Sequence, residues 1–146
     1  MGWDGDLLSE LLDDTRIDKW DYKNGRFNNL FNAKDYNCLS NNGSKATPAL
    51  SADLFGDWRE EVIFRTSDNR ELRIFSTAVP TGYRMYTLMQ NPQYRVSIAW
   101  QNVGYNQPPY PDYFLGEGMQ QQAKPNITIT GKHIIVLGQI RGSEKQ

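Results

Sequence analysis

Apolar positions in this chain come in short runs, set off by glycine, asparagine and aspartate rather than spread along a helical face. Such runs fall at residues 7–13, 16–22, 49–54, 61–66, 72–76 and 95–100. Their β-branched and aromatic content predicts strands. Lys23-Asn24-Gly25-Arg26 predicts a two-residue hairpin turn, because Asn-Gly supplies the positive φ angles such a turn needs. Ser67-Asp68-Asn69-Arg70 predicts a second hairpin. No stretch carries a sustained helical period with caps at both ends. Residues 32–47 and 101–125, the latter holding Pro108, Pro109, Pro111 and Pro125, predict long irregular loops of the kind that carry function or stay disordered. Runs at 127–130 and 133–140 predict a last strand pair around Gly131-Lys132, before a frayed tail at 141–146.

One pattern occurs twice. Gly5-Asp6-Leu7-Leu8-Ser9-Glu10-Leu11-Leu12 returns as Gly56-Asp57-Trp58-Arg59-Glu60-Glu61-Val62-Ile63. Each copy follows a large residue, Trp3 or Phe55, and runs into a second strand-like stretch. A period of roughly 40 to 50 residues built from short strands and polar turns marks propeller blades, whose apolar faces are buried only against neighbouring blades. The expected fold is therefore all-β, antiparallel β-propeller blades: a partial propeller of about two blades plus long loops. Two repeats cannot close a ring of at least four blades, so a piece of a longer protein is expected. Residues 1–125 would form the blades, and 126–146 an extra strand pair and tail.

Composition changes this picture little. A net charge of −1 with interspersed signs offers no basic face, so nucleic acid is not an expected partner. No apolar run approaches the about 18 residues that span a bilayer, so no membrane partner is expected either. A single cysteine, Cys38, excludes an internal disulfide and reads as a small buried hydrophobe. The single histidine, His133, excludes a multi-histidine metal site and reads as a core or edge residue. The 8 tyrosines and 4 tryptophans suit stacking on sugar rings as well as core packing.

The acidic repeat suggests a cation. In each copy a carboxylate sits beside a glycine whose permissive φ lets oxygens converge, with another carboxylate a turn further on. Asp4, Asp6 and Glu10 form one candidate set for calcium, and Asp53, Asp57 and Glu61 the other. The alternative is that these acids cap turns and pair with Arg59, Arg65 or Arg73.

The stretch from Ser44-Lys45-Ala46-Thr47-Pro48 through Asp53-Leu54-Phe55-Gly56-Asp57-Trp58-Arg59-Glu60-Glu61-Val62-Ile63 resembles the C-terminal part of the family eleven polysaccharide lyases, the rhamnogalacturonan lyases of pectin-degrading bacteria. The likeness continues in Tyr83-Arg84-Met85-Tyr86-Thr87-Leu88-Met89-Gln90 and in Tyr105-Asn106-Gln107-Pro108-Pro109, and it ends near Phe114-Leu115-Gly116. What the resemblance implies is an eight-bladed propeller, structural and catalytic Ca2+, an extracellular or periplasmic location, and a deep cleft for alternating rhamnose and galacturonic acid. The family's cleft residues fall on Asn42, Gly43, Ser44 and Lys45, on Asn102 and on Tyr105. Asn102 and the carbonyl of Gly104 would be further metal ligands. Ser44 keeps the hydroxyl of the family's common threonine, and Gly104 stands for a common alanine.

Lyase cleavage of a uronate chain is a β-elimination, in which a base removes the proton next to the carboxylate while the glycosidic oxygen leaves from the neighbouring carbon. That proton is barely acidic unless positive charge neutralises the carboxylate. Lys45 would serve as base or as fixed positive charge, and Tyr105 would protonate the leaving oxygen or stack on a sugar. The expected function is the C-terminal part of a rhamnogalacturonan lyase, with little or no activity alone and with self-association through open blade edges. A non-catalytic carbohydrate-binding or structural module is the alternative, and an integrin-like calcium propeller ranks last.

Overall fold

The computed structural model describes residues 1–103 and 107–126. The strand pair expected at 127–140, the tail, Gly104 and Tyr105 lie outside the described residues. Among the described residues seven strands make two antiparallel sheets. The first, in order β1-β2-β3, joins β1 (Leu11–Asp13), β2 (Arg16–Asp21) and β3 (Arg26–Asn32). In the second, β6 (Glu61–Thr66) is the centre: it pairs with β5 (Leu50–Ala52) and β4 (Cys38–Leu39) and also with β7 (Leu72–Phe75). The regular structure among the described residues is thus mostly antiparallel sheet with little helix, consistent with an all-β fold.

Turn chemistry sets the hairpins. The β2–β3 register, Asp21 opposite Arg26, leaves four loop residues rather than the expected two. Gly25 alone takes positive φ there, 62°, and its N–H closes on the Asp21 carbonyl at 2.8 Å. Asn24 spends its amide on the Asp21 carboxylate instead. The β6–β7 hairpin forms at 67–70 as expected, with Asn69 in the left-handed conformation. Strand bounds are shorter than the apolar runs: residues 7–8 bend and 9–10 lie outside the strand, where the Leu8 carbonyl and Glu10 turn to the Lys19 ammonium. The expected loop at 32–47 contains a short 3-10 turn (Ala33–Tyr36) and β4.

One expected strand is a helix. Residues 95–99 belong to α1 (Pro92–Ala99) and Trp100 caps its end; the helix starts upstream of the β-branched run, where the Asn91 side chain caps it by accepting from the Tyr94 N–H at 3.0 Å, and Pro92 fills the first turn. Tyr94 and Ser97, three apart on one face, are buried, and Ile98 packs beside Tyr94. Tertiary contact on that face overrides the alternating pattern of 95–100.

Two cores hold the chain. Trp3, Ile17, Ala33, Cys38, Val62 and Phe64 fill the space between the sheets, so Cys38 is the buried hydrophobe its context suggested. Phe31 and Phe75 meet beside them at 4.8 Å between ring centroids. Trp58, Leu88 and Tyr94 form the second core, which ties α1 to the Gly56 loop. Leu11, Trp20 and Phe27 of the first sheet remain about half exposed.

Candidate functional site

The two Gly-Asp loops fold alike. Gly5 and Gly56 both adopt left-handed φ, 85° and 76°, and a Cβ at Gly5 would come within 2.9 Å of the Thr81 Cβ, so glycine is required there. Asp6 Oδ1 accepts from the Leu8 N–H at 2.7 Å, and Asp57 Oδ1 from the Arg59 N–H at 3.2 Å. Glu10 Oε2 accepts from the Trp3 N–H at 2.6 Å, while Glu61 Oε2 accepts from Leu54 and Phe55 N–H at 2.8 and 3.1 Å.

Their charge is handled differently. Asp4, Asp6 and Glu10 bring carboxylate oxygens within 4.8 Å of one another. The β1–β2 register sets Leu11 opposite Asp18 and so delivers Lys19 beside Glu10. Lys19 Nζ donates to Asp6 Oδ1 and Glu10 Oε1 at 2.6 Å, and to Asp4 Oδ1 and the Leu8 carbonyl at 3.1 Å. Burial opposes the ammonium's charge, yet these acceptors raise its pKa above the ordinary lysine value. Burial pushes the Glu10 carboxyl up despite Lys19, whereas Asp4, less buried, is held low by Lys19 and the Asp6 N–H. A calcium ion would need six to eight oxygens at this point. The ammonium stands where they converge, so the first set does not fit calcium as folded.

The second set does not gather. Val62 lies opposite Phe75, which puts Ser76 where the first repeat has Lys19. Asp57 Oδ2 accepts from Arg59 Nε at 3.1 Å and from its Nη2, and Arg59 Nη1 reaches the Val79 carbonyl at 2.6 Å. Asp53, fully buried, turns Oδ2 to Thr87 Oγ1 and the Leu88 N–H, each at 2.7 Å. Its Oδ1 accepts no hydrogen bond and, with Trp58 Nε1, is one of two buried side-chain polar atoms left without a partner among the described residues. Among the described residues only the first set brings three carboxylates together, so Asp53, Asp57 and Glu61 do not form one ligand set.

The Lys45 loop lines a groove of about 540 Å³ between the two repeats. Its neck is closed by the Asn41 N–H on the Thr47 carbonyl at 2.8 Å, and Asp14 N–H reaches Ala46 O at 3.2 Å. Asn102 fastens it from the far side, accepting from Thr47 Oγ1 at 3.1 Å and donating to the Ala49 carbonyl at 2.9 Å. Lys45 and Asn102 both hold positive φ, 51° and 63°, at the groove wall. Asn42, Gly43 and Ser44 form the exposed tip beside it, and a Cβ on Gly43 would touch nothing. The structure thus joins Lys45 to Asn102 and leaves the acid sets apart from them, except for Glu10 on the groove's wall.

Four contributors were not singled out from sequence. Lys19 is one. Asp13 lines the Lys45 groove, exposed and with no side-chain hydrogen bond to another described residue. Gln101 trades hydrogen bonds with the Ser51 backbone at 2.9 and 2.7 Å and so fixes the neighbouring Asn102. Tyr94 donates to the buried Glu60 at 2.8 Å and accepts from the Asp53 N–H at 2.9 Å, locking α1 onto the second repeat. Hairpin arithmetic from Glu10 could have found Lys19; the other three depend on contacts far apart in sequence.

Residues 1–125 match the family described as rhamnogalacturonan lyase family 11, C-terminal domain. The chain is 59% identical over 125 residues to the rhamnogalacturonan endolyase YesW of Bacillus subtilis (strain 168), covering 86% of this chain and 20% of that protein. It is 50% identical over 137 residues to the rhamnogalacturonan exolyase YesX of the same organism, covering 88% of this chain and 22% of that protein. A solved structure, the Bacillus licheniformis rhamnogalacturonan lyase PL11, superposes with a TM-score of 0.82 at 60% identity, over 87% of this chain and 21% of that one. The chain therefore spans about a fifth of the length of the relatives it matches. It belongs to rhamnogalacturonan lyase family 11, as its C-terminal domain.

Proposed function

We propose that the chain is the C-terminal part of a longer lyase that cleaves rhamnogalacturonan by β-elimination, with the two sheets serving as blades of its propeller. The observation that carries this reading is the Lys45 loop, pinned by Asn102 over a groove between the two repeats, in a chain half or more identical to an endolyase and an exolyase. Lys45 then provides the base or the positive charge that makes the uronate proton removable, and Tyr105 the proton for the leaving oxygen or a stacking face. Asp13 and Glu10 add negative charge to the same groove, so a uronate carboxylate needs Lys45 or further positive charge to settle there. Calcium dependence is part of this proposal for the longer protein. The two acid sets of this chain, as folded, do not fit as its ligands.

The test follows the absorbance of the double bond conjugated to the carboxylate, which elimination creates and binding does not. The longer protein incubated with rhamnogalacturonan is expected to produce it, and chelator to abolish it; the isolated chain is expected to give very little, because a cleft built by many blades is not preorganised by two. No signal from the longer protein at any calcium level would sink the lyase reading and leave a sugar-binding module.

A further inference from the structure

A second groove, of about 480 Å³, shares no lining residue with the one at Lys45. Its floor is apolar: Leu7 and Met85 reach it from the second core, where they pack against the buried cluster of Trp58, Leu88 and Tyr94. Because Met85 is anchored inward, its neighbours Tyr83, Arg84 and Tyr86 stand exposed around the opening. The opposite wall is held in place by Gln122, which accepts from the Tyr86 N–H at 2.8 Å and donates to the Tyr113 hydroxyl. Gln121 stands next to it.

Charge sets this groove apart. Arg16, Arg59, Arg73 and Arg95 each donate to an oxygen of this chain, whereas Arg84 has neither a hydrogen bond nor an ion pair with any described residue. Among the described residues no carboxylate lines the groove, while Glu10 and Asp13 line the one at Lys45. Neither Tyr83 nor Tyr86 uses its hydroxyl within the described residues. The groove is therefore lined by a guanidinium with no partner among the described residues, by two exposed tyrosines and by glutamine amides, with an apolar floor.

We infer that this groove is a second saccharide site that takes a uronate-bearing segment, its carboxylate on Arg84 and a sugar ring against Tyr83 or Tyr86. The guanidinium fork matches a carboxylate in two parallel hydrogen bonds. Tyrosine presents an apolar face to the C–H side of a sugar ring and a hydroxyl to its rim, and glutamine amides both donate to and accept from hydroxyls. The volume lies within the range of small-molecule sites. A neutral sugar would leave Arg84 unused, so the site discriminates by charge. It concerns binding alone and stands whether or not the longer protein is a lyase.

The test is amide and side-chain NMR of the isotope-labelled chain titrated with a galacturonate trimer and, in parallel, with a neutral maltotriose. Shifts are expected at 83–86 and at the Gln122 side chain with the acidic trimer, weaker by about tenfold in Arg84→Gln, the scale of one charged hydrogen bond. Lys45→Ala should leave them unchanged, and Tyr83→Ala should weaken both sugars. Shifts confined to the Lys45 loop, no shifts at all, or equal affinity for the two trimers would overturn the inference. Arg84→Gln changes an exposed side chain, so a native-like spectrum of the free variant is expected and separates lost binding from lost folding.

Discussion

The two Gly-Asp loops share their glycine turn and their backbone caps but differ at Asp4, whose counterpart is Phe55, at Leu7, whose counterpart Trp58 takes positive φ, and in the cross-strand neighbour. Both turn on a left-handed glycine, both have an aspartate accepting the N–H two residues on, and both close with a glutamate on the amides at the loop's start. In the first loop the neighbour is Lys19, whose largely buried ammonium gathers three carboxylates, of which Glu10 is fully buried and Asp6 about half exposed. In the second it is Ser76, and the aspartate pairs with its own loop's Arg59 at the rim. The turn is thus specified by glycine and by side-chain caps on the backbone, whereas convergence of the acids needs a cation delivered by the adjacent strand. The same motif therefore supports two electrostatic states.

Removing Lys19 tests this most severely. Glu10 has no exposed side-chain surface and Lys19 keeps only 14%, so Lys19→Met strands a buried carboxylate and its two neighbours, at a cost of about 3–5 kcal/mol. Urea unfolding should read that loss directly. In the variant, added calcium should recover part of it, because the three carboxylates then face an open centre; in the native chain the same addition should do nothing through this loop. Calcium stabilising both equally would break the comparison.

The backbone clamps come next. Glu61→Ala orphans the Leu54 and Phe55 amides and should cost about 1–3 kcal/mol, with Glu61→Gln recovering most of it through one carbonyl acceptor. Equal losses in both variants would show that charge, not hydrogen bonding, shapes the second loop.

Much of this was legible along the chain. The repeat, the hairpins at 21–26 and 66–71, and the buried Cys38 follow from turn residues and apolar runs that act over a few positions. The helix at Pro92–Ala99 was hidden because its signals, the Asn91 cap and Pro92, precede a stretch whose Val96 and Ile98 alternate like a strand. That Lys45 and Asn102 share one groove came from family likeness; its physical cause, Thr47 and Ala49 bonded to the Asn102 amide, spans 55 and 53 residues and leaves no local trace. Lys19 was missed for a subtler reason: its role depends on strand register, which no residue announces on its own.

Acidity offers a milder probe of the same contrast. Burial raises the pKa of Glu10, Glu60 and Glu61 from an ordinary 4.5, so the folded chain holds protons that the unfolded one releases. Their contribution is complete below pH 4.5 and is lost as pH rises through the folded values. Asp4 moves the other way, below 3.8, and loses its contribution as pH falls through its lowered value. Melting temperature should therefore decline as pH is raised from about 4.5, and Glu60→Gln, which removes one of the three, should flatten that decline while keeping the acceptor for Tyr94. An unchanged slope would show that Glu60 ionises without penalty.

The smallest effect belongs to the second loop's own ion pair. Asp57 exposes 43% of its side chain, so the pair with Arg59 is screened by water, and Arg59→Gln should cost less than about 1 kcal/mol and less still at high salt. Some of even that comes from the lost bond to the Val79 carbonyl, which salt does not screen. Comparing urea midpoints of Arg59→Gln and Lys19→Met at low and high salt separates the two loops by mechanism. If salt erases most of the Arg59 effect but little of the Lys19 effect, the first loop is held by a buried cation and the second by its backbone. If salt erases both alike, Lys19 is solvated in solution and the difference between the loops is only one of geometry.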